Sequence, residues 1–366
     1  MQTNPPTRID SHRNRNLDLI RAAAILMILV YHGVQMSPIA FPRLILITNF
    51  GQYGVDLFFV LSGWLIGGLY WRERRLFGDV SLLKFWVRRW MRTVPPYLAG
   101  LGLAWLAVYI VRSQQFDWAY MFFLQNYHEK IPFFLVSWSL CVEEHFYLLV
   151  PLMFALWRES ESSRPYILVL GLAVIAPAAF RSLEYARLGD EFGYRTTATH
   201  LHMEGLILGF LLSYAAVYRR DVFARLQASA PWLAAISMLV LISLEFSGPR
   251  LRYVFWYTAI SVFFSAVLVG LVTRREIGTA VNRVTAPIAI ASYSVYLTHA
   301  LAIHVARNIV AQLPEMAGLA YFPILVVTVI ASAAALYYTV EKTCIAVRDA
   351  YWPRREIARD APIPAT

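Results

Sequence analysis

Residues 17–33 read LDLIRAAAILMILVYHG. The stretch is apolar enough to cross a membrane, yet it carries Asp18 and Arg21 near its start and His32 near its end. Arg21 and His32 are eleven residues apart. At 3.6 residues per turn this is about three turns, so on one helix the two side chains share a face, about 16 Å apart along the axis. Ionisable groups at membrane depth are costly, and they face a protein interior or a wet cavity. The helix therefore reads as one wall of a site reached from both sides of the membrane.

The rest of the chain supports a membrane reading. Of its 366 residues, 58% are hydrophobic and 15% charged, with a mean hydropathy of +0.51. Apolar runs of about 20 residues recur along it, the pattern of an all-α polytopic membrane protein. Ten spans are predicted, near 17–37, 51–71, 94–112, 134–157, 166–183, 201–218, 231–247, 253–273, 287–310 and 320–340. They give an N-terminal leader (1–16), one transmembrane domain (17–340) and a C-terminal tail (341–366), disordered in part. The leader and the first span do not fit a cleavable signal peptide. Neither internal repeats nor low-complexity tracts are evident.

The net charge of +10 raises the question of nucleic acid, but the basic residues lie between spans and follow a topology rule instead. With an inner N-terminus, the inner segments carry more than twice as many lysines and arginines as the outer ones. Both termini are thus expected in the cytoplasm. Cys141 falls inside a predicted span and Cys344 beyond the last one, so a disulfide between them is not expected.

Further polar residues cluster within the spans. Asp56, in GVDLFFVLSGWLI, lies as far from the outer end of its span as His32 does from its own. It either pairs with His32 and fixes its ring tautomer, or serves as an acid favourable to the helix N-terminus. Ser62, Gly63, Gly67 and Gly68 allow close helix packing. In RRWMRTVPPY, Arg89 and Arg92 precede two prolines that suit the first turn of a helix; arginines beside a helix N-terminus suit phosphate. Glu143 and Glu144, in SWSLCVEEHFYLLVPL, point about 100° apart on a helix, so at least one faces the interior and suits acid–base work. His200, His202 and Glu204 diverge on a helix and do not make a metal site by themselves. His200 and Glu204 are spaced to pair, and His200 suits a polar lining on the acceptor side. Tyr296 and His299, in ASYSVYLTH, are neighbours on one helix face.

Together these segments resemble the membrane-bound acyltransferase-3 family of bacterial O-acyltransferases. The shared features are the R-x10-H pattern of Arg21 and His32, GVDLFFVLSGWLI, the R-x-x-R pattern of Arg89 and Arg92, WSLCVEEHFYLLVPL and ASYSVYLTH. YYTVEKTC resembles a closing Glu-Lys-Pro segment, with Thr343 in place of proline. Some members read T-H-L-R-x-D where this chain has Thr199-His200-Leu201-His202-Met203-Glu204, a difference that bears on the acceptor. With no soluble esterase-like domain after the last span, the membrane-only form is expected.

The resemblance implies a multi-pass protein of the bacterial inner membrane. It implies transfer of an acyl group, most often acetyl, from cytoplasmic acyl-CoA to a hydroxyl of a carbohydrate or lipid-linked glycan. No bound cofactor or metal is implied. Arg21, Arg89 and Arg92 would hold the acyl-CoA. His32 would be the base or transient acyl carrier, with Asp56 orienting it and Glu143 assisting proton transfer. Glu144, Tyr296, His299 and His200 would support the site. The alternative is a glycan or glycolipid transporter or flippase, which shares a polytopic fold with intramembrane charge.

Overall fold

The computed structural model describes residues 14–156, 164–189, 197–272 and 276–353. Residues 1–13 of the leader and 354–366 of the tail lie outside the described residues. No strand occurs among the described residues. The long helices are α1 (Arg15–Gln35), α3 (Gly54–Phe77), α4 (Leu82–Arg112), α5 (Trp138–Leu156), α6 (Arg164–Leu188), α7 (Glu204–Tyr218), α8 (Arg220–Glu245), α9 (Pro249–Val272), α10 (Thr279–Val310) and α11 (Ala317–Leu336). The short α2 (Pro42–Thr48) links α1 to α3, and α12 (Lys342–Tyr351) follows α11 after a π-helical turn at Tyr337–Glu341.

Each of the ten predicted spans overlaps one of these helices among the described residues. Among the described residues, seven helical segments are long and apolar enough to cross a membrane, and α7 is an apolar helix of 15 residues. The protein is thus an all-α polytopic membrane protein. Large apolar side chains such as Leu46, Val111 and Leu319 lie exposed on its outside, as expected where lipid is the solvent.

α1 and α3 are central. Ile25, Ile28 and Phe59 join one core with residues of α4, α5, α7, α10 and α11. Ile20, Ala24, Leu57 and Val60 join a second core with α8 and α9. α1 starts cleanly because the Asn14 side chain accepts from the backbone N–H groups of Asn16 and Leu17 at 2.9 and 3.2 Å, satisfying two donors that a helix start leaves unpaired.

α3 and α7 meet backbone to backbone. A Cβ added at Gly63 would lie 2.0 Å from the Leu206 carbonyl oxygen, and one at Gly209 2.1 Å from that of Val60. Small residues permit this approach, and helix association in a membrane depends on such contact.

One expectation about α4 fails. The prolines at 95 and 96 do not open a helix. They lie inside a continuous helix from Leu82 to Arg112. Membrane helices tolerate proline where neighbouring groups re-satisfy the freed carbonyls. Arg89 and Arg92 therefore sit mid-helix, and any anion they hold meets their side chains without a helix N-terminus behind it.

Candidate active site

α1, α3, α4, α5 and α10 enclose a cavity of about 360 Å³ whose polar lining includes Arg21, Ser62, Arg89, Arg92, Glu143 and Tyr296. A second cavity of about 160 Å³ shares Arg72, Arg89 and Arg92 with it and adds Lys84, Arg88 and Arg348. The two are contiguous through the shared residues and strongly basic. Arg348 comes from α12, which is held to α4 by an Arg88–Asp349 ion pair at 3.0 Å. Nothing in the local sequence of Arg348 separates it from topology-setting arginines.

Arg89 and Arg92 stand on one face of α4, three residues apart, but in different states. Arg89 is locked. Its Nη2 donates to Glu143 Oε2 at 3.2 Å and to the Tyr147 hydroxyl at 2.5 Å, and its guanidinium lies 4.1 Å from the Tyr147 ring centroid. Ser62 and Tyr147 also donate to the Glu143 carboxylate, at 2.9 and 2.7 Å. Arg92 lines both cavities and makes no hydrogen bond or ion pair with the described residues. Its donors are open to a ligand. A guanidinium so placed suits phosphate.

His32 lines a different space, a cleft of about 390 Å³ between α4 and α10 that His299 and His304 also line. His299 Nε2 is 3.0 Å from His32 Nδ1, and the rings are 5.0 Å apart between centroids. The expected Asp56–His32 pair is absent. Asp56 Oδ1 accepts from His202 Nε2 at 2.8 Å, with both side chains buried. The two residues share a depth but not a direction, because Asp56 lies on the α3 stripe that faces α7. Glu143 likewise lines the arginine cavity and not the His32 cleft. Its carboxylate orders Arg89, which departs from the expected assistance to His32.

The remaining expectations divide. Tyr296 lines the arginine cavity and hydrogen-bonds Ser139 Oγ and the Val136 carbonyl at 2.6 and 2.8 Å. Glu144 does not line the arginine cavity but borders an apolar cleft with Trp90, Met91 and His145, although the Arg89 charge still acts on it. His200 stacks on Tyr127, 5.9 Å between centroids, and does not pair with Glu204. Glu204 instead takes a fully buried ion pair with Arg181 at 2.6 Å, and Arg181 also donates to the Val254 carbonyl at 3.0 Å and to Thr258 Oγ1 at 2.9 Å. α7 begins only at Glu204, so His200 and His202 precede the helix on which the pairing was expected. His202 and Arg181 went unassigned in the sequence because their partners lie far away in the chain.

Comparison with known proteins bears on the family of the chain. A family model described as an acyltransferase domain matches residues 14–338. A protein of Staphylococcus aureus strain COL, provisionally named an O-acetyltransferase, is 28% identical over 221 residues, covering 54% of this chain and 34% of that protein. O-acetyltransferase OatA of S. aureus strain NCTC 8325 is 26% identical over 255 residues, covering 63% of this chain and 40% of its own length. The chain thus spans about a third to two-fifths of these relatives. No solved structure matches it. The matches give the transporter alternative no support. A match running from residue 14 to 338, over helices that bring the arginines and histidines of the motifs to two neighbouring spaces, places the chain in the membrane-bound acyltransferase-3 family.

Proposed function

We propose that the protein is a membrane O-acyltransferase that moves an acetyl group from cytoplasmic acetyl-CoA to a hydroxyl of a carbohydrate acceptor on a cell-surface glycan or glycolipid. One observation carries this reading. α1 presents Arg21 to the arginine-lined cavity and His32 to the α4–α10 cleft, so a single helix links an anion site to a base about 16 Å away.

Arg92, Arg21 and the basic residues around the second cavity bind the phosphates of the donor. Arg89, held by Glu143 and Tyr147, supplies a fixed charge beside them. The thioester reaches from this mouth toward His32, while the acceptor enters by the α4–α10 cleft. His32 takes the proton of the acceptor hydroxyl as its oxygen attacks the thioester carbonyl. The C–O bond forms, the C–S bond breaks, and the proton leaves with the thiol of CoA. The basic mouth lies on the inner side of a bacterial plasma membrane, with both termini cytoplasmic.

The test is transfer of label from radiolabelled acetyl-CoA into the glycan fraction of membranes carrying wild-type protein or His32→Ala. Label is expected with wild type and absent with the variant. Label persisting in His32→Ala would remove His32 from the reaction, and a wild type that transfers none would overturn the donor assignment.

A further inference from the structure

We propose that His299 is a positioning residue that fixes the tautomer of His32 and makes Nε2 of His32 the reacting nitrogen. This rests on the reading of His32 as the base.

His299 is fully buried, and its Nδ1 lies 2.6 Å from the backbone carbonyl oxygen of Tyr296, one turn back on α10. A carbonyl oxygen only accepts, so His299 Nδ1 carries the hydrogen. A neutral imidazole carries one, which leaves His299 Nε2 as an acceptor. That atom is 3.0 Å from His32 Nδ1, so His32 Nδ1 must donate. The lone pair of His32 then sits on Nε2, which makes no hydrogen bond with the described residues and belongs to a ring lining the α4–α10 cleft.

The reverse arrangement requires His299 to be a cation donating at both nitrogens. His32 would then hold its hydrogen on Nε2 and lose its function as a base. A fully buried imidazole that meets a carbonyl, another imidazole and no carboxylate stays neutral. The carbonyl is itself held in place, since the Tyr296 side chain is anchored to Ser139 and to the Val136 carbonyl. The role usually given to a carboxylate beside a catalytic histidine thus passes to a backbone carbonyl acting through a second histidine. The carboxylate first expected there, Asp56, is committed to His202.

During transfer, the hydroxyl proton of the acceptor moves to His32 Nε2 as the C–O bond forms. The Nδ1 hydrogen remains in its bond to His299. The Nε2 proton then passes to the departing thiolate, and the neutral pair is restored.

The experiment has two arms. In the first, nitrogen NMR of wild-type protein labelled with ¹⁵N-histidine in lipid nanodiscs, with His32 assigned by difference from His32→Asn, reads which nitrogen is protonated. A protonated Nδ1 and an unprotonated Nε2 are expected; the opposite tautomer would overturn the proposal. In the second, His299→Leu is expected to lower kcat on the order of 10²-fold or more, with the donor KM unchanged. His299→Gln, whose amide oxygen can accept from His32 Nδ1, is expected to recover most of the loss. A His299→Leu enzyme with wild-type kcat would also overturn the proposal. If His32→Ala itself still transfers, the reading of His32 fails instead, and the NMR arm reports on the tautomer regardless.

Discussion

Asp56 of α3 and His202, just ahead of α7, form a buried pair 2.8 Å apart, closed in by Trp138 and Tyr257 at ring-centroid distances of 5.0 and 4.1 Å from the imidazole. Removing either member breaks this buried contact. Asp56→Ala and His202→Ala are each expected to cost about 2–4 kcal/mol. The double variant should cost clearly less than the sum. Thermal unfolding of the four proteins in detergent measures this, and additive losses would show that the pair is not coupled.

Arg92 and Arg89 should separate in a kinetic comparison. Among the described residues Arg92 makes no direct hydrogen bond or close ion pair, the opposite charge acting on it being Glu341, so Arg92→Ala is expected to raise the donor KM by roughly 10- to 100-fold, the worth of charge-assisted hydrogen bonds, with a smaller loss of melting temperature than Arg89→Ala. Arg89→Ala strips Glu143 and Tyr147 of their cation and should lower both donor affinity and melting temperature. Initial rates against acetyl-CoA, beside melting curves, distinguish the two.

Glu143→Gln keeps the shape of the side chain and removes the charge that holds Arg89. The donor KM is expected to rise by about tenfold, with a smaller effect on kcat. A collapse of kcat at unchanged KM would show instead that Glu143 acts on the reacting atoms.

The contact between α3 and α7 leaves no room for a side chain. Gly63→Ala and Gly209→Ala each push a Cβ into a backbone carbonyl, and each is expected to destabilise by about 1–3 kcal/mol. Gly102→Ala in α4 is the control. Nothing lies within 4 Å of its added Cβ, so it should be neutral or stabilise by up to about 1 kcal/mol through helix propensity.

The helices were largely readable from apolar run lengths, because burial in lipid demands about 20 such residues whatever the packing. The arginine cavity was readable too: Arg21, Arg89 and Arg92 meet there, and Glu143 joins them. The partner of His32 was not. Depth in the membrane follows from counting along a helix, but direction depends on which helix packs where. For Asp56 a signal was present. Asp56, Val60, Gly63 and Gly67 follow the i, i+4, i+7, i+11 stripe of one helix face, so whatever meets the glycines also meets Asp56. That neighbour is α7, reached through His202. The mid-helix position of Arg89 and Arg92 was hidden by Pro95 and Pro96, whose usual preference for a first turn gives way inside a membrane bundle.

The docking of α12 has a practical consequence for handling the protein. Arg88 grips the far end of this helix twice, at Asp349 and at the Trp352 carbonyl, and Arg348 thereby reaches the second cavity. Trimming the chain after the last apolar helix, or fusing a bulky reporter ahead of Pro353, would strip or displace one wall of the basic mouth. Purification handles belong beyond residue 353, where they leave that wall in place.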